Sequence, residues 1–138
     1  MILADVMDEV STVLAQVTGL RVQAYPASTI TPPAGVVNYP VAPGIRYHQT
    51  YGRGETSYPD VEVTLVTSRV TDRSARDQAS AWCSDTGDQS VVDRLEAHTW
   101  TSCDDVTVVA AEFETVTIGG TDYLGVIFHL SITGPGNT

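Results

Sequence analysis

Lysine is absent from this chain. Its seven basic residues are all arginine, set against 17 Asp and Glu, and the formal net charge at pH 7 is -10. A surface of that sign repels phosphate backbones and disfavours tight wrapping of nucleic acid. Long apolar runs are also lacking. The apolar residues near the start are interrupted by Asp5, Asp8 and Glu9, whereas a secretory leader needs a basic start and an unbroken apolar stretch. No segment has the length of uncharged apolar sequence that a bilayer-spanning helix requires. The expectation is a protein made and first used in a cytoplasm. Cysteine is scarce, with only Cys83 and Cys103. In that compartment both default to reduced thiols, and their separation fits neither a zinc ribbon nor a CxxC motif. They read as semi-buried structural residues.

At 138 residues and 42% hydrophobic, the chain supports one core, and a single domain over residues 1–138 is expected. Leu3, Val6, Met7, Val10, Val13, Leu14 and Val17 recur at helical spacing with polar residues between them, which predicts an amphipathic first helix capped at Gly19. Leu20 to Tyr25 reads as a strand stopped by Pro26, Ser28 to Gly35 as an extended Pro-rich loop, and Val36 to Tyr39 as a second short strand. Residues 40–59 have no period and are rich in Gly, Pro, Tyr, Arg and His, which predicts a long arm or loop. Tyr and Arg are enriched at protein interfaces, so Arg46, Tyr47, Tyr51, Arg53 and Tyr58 are candidate contact residues. The alternative is that one or two of these tyrosines pack on the sheet edge.

The second half supplies the sheet. Val61, Val63 and Leu65 alternate with Glu62 and Thr64, and Leu124, Val126, Phe128, Leu130 and Ile132 alternate in the same way, as half-buried strands do. Val106 to Ala110 and Glu114 to Ile118 read as two further strands, and Gly119-Gly120 as a two-residue hairpin turn. Helices are predicted over Asp72 to Trp82 and Asp88 to Ala97, with an Asp88 or Ser90 cap. The fold class expected is α+β, a single mixed or antiparallel sheet with helices packed on one face, plus the arm and a flexible tail at 134–138.

Motifs that carry chemistry are few. Asp85-Thr86-Gly87 has the letters of an aspartic protease triplet but lies between two predicted helices, where a turn is the better reading. His48, His98 and His129 lack the i, i+4 pairing of helical metal sites and read as ordinary surface histidines. Ser57 or Ser131 could serve as nucleophile with His129 as base, but no nucleophile elbow accompanies them. Gly52-Arg53-Gly54 lacks the context of a phosphate loop. No catalytic, cofactor or metal residue is therefore assigned. Arg73 and Arg76 share a helix face and Arg69 precedes it. They read either as a solvated, internally paired face or as cations that meet acidic patches on a neighbouring copy.

Several segments, in order, resemble the tail terminator proteins of long-tailed siphophages that infect actinobacteria. They are Val17-Thr18-Gly19-Leu20-Arg21-Val22, Ala24-Tyr25-Pro26, Thr31-Pro32-Pro33-Ala34-Gly35-Val36-Val37, Ser68 to Gln78, Ser90-Val91-Val92 and Gly120-Thr121-Asp122-Tyr123-Leu124-Gly125. The resemblance implies a non-enzymatic virion protein, assembled in the host cytoplasm, that forms a ring, usually a hexamer. Such a ring caps the head-proximal end of the tail tube, stops polymerisation of the major tail tube protein and joins the tail to a head-to-tail stopper or neck protein. DNA would pass through its lumen without specific binding, and no membrane or cofactor is involved. A neck stopper or adaptor is the alternative within that setting, and a small hydrolase the alternative outside it.

Overall fold

The computed structural model describes residues 1–17, 20–24, 33–47 and 54–135. Among these, three helices and five strands follow in the order α1 (Leu3–Leu14), β1 (Arg21–Gln23), β2 (Ala34–Pro40), β3 (Glu55–Arg69), α2 (Arg73–Trp82), α3 (Val91–Ala97), β4 (Asp105–Ile118) and β5 (Thr121–Pro135). The strands form one mixed sheet in the order β1-β2-β3-β5-β4. Only the β1–β2 pair is parallel. The fold is α+β.

The predicted alternation explains which side of the sheet is inside. Val61, Val63 and Leu65 of β3 lie opposite Leu130, Phe128 and Val126 of β5, and all six are buried. Val6, Val10, Val13 and Leu14 of α1, Ala79 and Trp82 of α2, and Val91 and Leu95 of α3 join the same core. All three helices therefore cover one face. Each fully buried aliphatic side chain contributes about 1.5–3 kcal/mol before entropy is counted. The outer face carries the intervening residues, among them Asn38, Glu62, Thr64, Glu112, Ile127 and His129, with Asn38 Nδ2 donating to Thr64 Oγ1 at 3.1 Å.

Several boundaries differ from the sequence reading. Glu55 to Pro59 were expected to close the arm, but they open β3, paired along β5 from Glu55 opposite Pro135 to Tyr58 opposite Ile132. A register shift between Tyr58 and Val61 accommodates Pro59, which has no amide to give a ladder. The shift lets Tyr58 and Val61 both face the core although they are three residues apart, so the period-2 signal is broken there. Of the expected arm, Pro40 belongs to β2 and residues 55–59 to β3, and residues 48–53 lie outside the described residues; Arg46 exchanges two 2.8 Å backbone hydrogen bonds with Ser57. The two strands expected between Val106 and Ile118 are one, because β4 pairs with β5 along its whole length and takes up its irregularity between Val108 and Ala110. Gly134 and Pro135, expected in the tail, end β5.

The turns follow from local chemistry. Gly119 and Gly120 have φ of 59° and 80°, the left-handed pair that a two-residue hairpin needs. Ser90 accepts from the Asp93 amide at 3.1 Å, so α3 starts after Ser90 rather than at Asp88. The cap expected at Gly19 lies outside the described residues, as does Pro26.

Candidate functional site

The outer face of the sheet gathers a cluster around one histidine. Glu62 and His129 are register partners on β3 and β5, which puts both side chains on the same face. Asp60 precedes Glu62 by two residues and shares that face. Glu112 enters from β4, opposite Ile127. The Nδ1 of His129 lies 2.8 Å from Asp60 Oδ1 and 3.9 Å from Glu62 Oε1, and its Nε2 lies 2.9 Å from Glu112 Oε1. The His129 side chain is only 18% exposed. The hydrogen bond that its Nδ1 gives to Asp60 raises its pKa above the usual histidine value; burial opposes this, and the Asp60 charge and the Glu112 hydrogen bond and charge add to it.

This geometry corrects the reading of the histidines as ordinary surface groups. Both ring nitrogens of His129 face carboxylates, and no serine among the described residues is bonded to it. His129 is therefore not poised to take a proton from Ser57 or Ser131. His98 is likewise engaged: its Nε2 is 2.8 Å from Glu9 Oε2, and its ring meets that of Trp100 edge-on, with centroids 4.7 Å apart. His48 lies outside the described residues.

Glu9 is a second focus. Its carboxylate accepts from the amides and hydroxyls of Thr101 and Ser102 as well as facing His98. Burial alone would raise its pKa, but the hydrogen bonds from the Ser102 hydroxyl and amide, His98 and Thr101 outweigh it and hold the group at about 2. The arrangement ties α1 to the segment between α3 and β4. Its donors are all occupied with holding the fold.

The candidate contact residues are dispersed. Tyr47 is 62% exposed and Arg46 is exposed as well. Tyr51 and Arg53 lie outside the described residues. Tyr58 is 2% exposed, a core side chain rather than a contact surface, because its register opposite Ile132 turns it under the helices. Arg69 ends β3 opposite Tyr123, Arg73 begins α2, and Arg76 pairs at 2.9 Å with its neighbour Asp77. Arg76 also lines a shallow groove with Ser80, Cys83, Ser84, Phe113 and Leu124. Asp85-Thr86-Gly87 is a turn, with Ser84 Oγ donating to the Thr86 carbonyl at 3.0 Å and Gly87 at φ 113°.

Sequence reasoning missed two features. Asp60, Glu62 and Glu112 could have been suspected only from their outward phase on strands. Phe113 was passed over because it interrupts two apparent strands; in the structure it and Val109 are 59% and 64% exposed on β4, an edge of the sheet.

The chain is an α+β protein built on a five-stranded mixed sheet. No protein-family model matches it, and no curated protein matches it. No helix among the described residues is long and apolar enough to cross a membrane.

Proposed function

We propose that this protein is a non-enzymatic assembly subunit, a tail terminator that closes into a ring on the head-proximal end of a phage tail tube. The resemblance carried by the ordered segments from Val17 to Gly125 gives the reading its specific form. The observation that supports it best is the sheet edge formed by β4. Residues 109–115 of that strand are exposed without interruption, and they include Val109 and Phe113. Proteins that stay solitary usually shield such an edge with Lys, Pro or a covering element. Among the described residues its start is covered, where Val108 donates its amide to Glu96 Oε2 at 2.9 Å, and the exposed stretch carries charge at Glu112 and Glu114 beside the apolar Val109 and Phe113.

The opposite end of the sheet is unlike it. β1 has three residues and pairs in parallel, so the two sheet ends cannot be equivalent surfaces. Dissimilar surfaces are what a head-to-tail cyclic contact uses. A net charge of -10 per chain favours a lumen through which DNA slides, since few cations are present to displace its counterions. The ring, usually a hexamer in the family it resembles, would meet the tube protein on one side and a neck protein on the other.

The test is to add the purified protein to polymerising tail tube subunits and follow tube length by electron microscopy. Capped tubes of bounded length are expected, and Phe113→Asp should weaken capping. Normal uncapped growth in the presence of excess protein would refute the role. Co-purification with tail-less heads would instead favour the neck stopper.

A further inference from the structure

We infer that His129, Asp60 and Glu62 form a binding site for one divalent transition-metal ion, of the zinc or cobalt kind, with Glu112 supporting the histidine from behind. One donor atom from each of the three residues lies within 4.8 Å of the others. Two ligand atoms each about 2.1 Å from a tetrahedral ion sit roughly 3.4 Å apart. The observed separations from Nδ1, 2.8 Å to Asp60 and 3.9 Å to Glu62, bracket that spacing, and the two carboxylate oxygens lie within 4.8 Å of each other.

Three features separate this from a chance meeting of acids. The donors are one imidazole nitrogen and two carboxylate oxygens, a mixed set that suits borderline divalent ions. Glu62 and His129 are register partners on paired strands, so backbone hydrogen bonding fixes their spacing, and Asp60 joins them from the irregular step between Tyr58 and Val61. Glu112, from a third strand, holds the far ring nitrogen at 2.9 Å. A carboxylate there fixes the tautomer that donates from Nε2 and leaves the Nδ1 lone pair for an ion, as outer carboxylates do for metal-bound histidines.

Charge points the same way. Three carboxylates surround one ring, and among the described residues no arginine forms an ion pair with any of them. An imidazolium neutralises only one of the three negative charges. A divalent ion at Nδ1 displaces the shared proton to solvent and leaves a better-balanced cluster, with water completing the coordination. The occupied site would fasten β3 to β5 on the face opposite the helices.

The experiment uses the full chain, stripped with chelator and titrated with Zn²⁺ by calorimetry and with Co²⁺ by visible absorption. One ion per chain and ligand-field bands of a low-coordinate Co²⁺ site are expected. His129→Asn should abolish both signals, and Glu112→Gln should weaken binding about tenfold. Asp104→Asn, a change in an acid away from the cluster, should leave binding unchanged. Because a variant could unfold, the wild-type His129 ring is also followed by NMR, and its Nδ1 resonance should move on adding Zn²⁺. A stationary Nδ1 resonance, equal binding in His129→Asn, or an equal response to Mg²⁺ would overturn the site.

Discussion

Glu9 on α1 and Ser102 before β4, 93 residues apart, meet at a single carboxylate oxygen, which accepts the Ser102 amide at 2.9 Å and its hydroxyl at 2.6 Å. The contact closes the connection between α3 and β4 onto the first helix. A carboxylate that accepts this many donors is hard to protonate while the fold persists.

The pH dependence follows from that clamp. The folded-state pKa of Glu9 is lowered from 4.5 to about 2. A depressed carboxylate contributes stability that is fully present above its unfolded value and is lost as pH falls through the folded one. Glu9→Gln should cost about 1.5–3 kcal/mol at neutral pH, the range for hydrogen bonds to a charged group. The deficit should shrink between pH 4.5 and about 2. Urea unfolding of both proteins at several pH values measures this, and a deficit that stays constant down to the lowest pH would contradict it.

Trp82 is fully buried, yet its Nε1 has no hydrogen-bond partner among the described residues. An unpaired buried donor costs about 1–3 kcal/mol, so removing it offsets part of the volume lost on substitution. Trp82→Phe should destabilise by less than about 2 kcal/mol, whereas Trp82→Ala should cost about 3–5 kcal/mol. Equal losses in chemical denaturation would show that the indole N–H is satisfied in solution.

Gly35 of β2 faces the core beneath Leu65. A Cβ there would come within 2.5 Å of Leu65 Cδ2 and 3.3 Å of Val22 Cγ2. Leu65 is fully buried and has little room to yield, so Gly35→Ala should cost about 1–3 kcal/mol by overpacking. Adding Leu65→Val should recover part of the loss. Melting temperatures of the single and double variants decide it, and a neutral Gly35→Ala would mean that the leucine repacks freely.

Cys103 should be inert in the folded protein. Burial first, then the charges of Glu9, Asp104 and Asp105, push its thiol up to about 11. Burial raises Cys83 as well. The thiolate is the reactive form, so a chromogenic disulfide reagent near neutral pH should label neither residue quickly until denaturant is added. Rapid native labelling of Cys103 would show that the segment after Thr101 opens readily.

Arg73 and Arg76 test the proposed ring directly. Both are exposed on α2, and the Arg76 pair with Asp77 is a surface contact worth little to the fold. Reversing both charges to Glu should leave unfolding within about 0.5 kcal/mol of wild type, as surface substitutions usually do. It should also reduce the oligomer size seen by light scattering. An unchanged size would remove these arginines from the interface.

Much of the layout was legible in the chain itself. The helical stripe from Leu3 to Leu14, though not its expected continuation to Val17, the alternation of Val61 to Leu65 and of Val126 to Ile132, and the Gly119-Gly120 turn are set by side chains within a few residues of one another. Burying one face dictates their phase. Only the tertiary structure decided that Tyr58 belongs to the core, that β4 is one strand with an exposed edge, and that Asp60, Glu112 and His129 converge. The physical reason is register. Asp60 and His129 are 69 residues apart, and their meeting depends on how β3 slides against β5, with a bulge beside Pro59 that local periodicity does not encode.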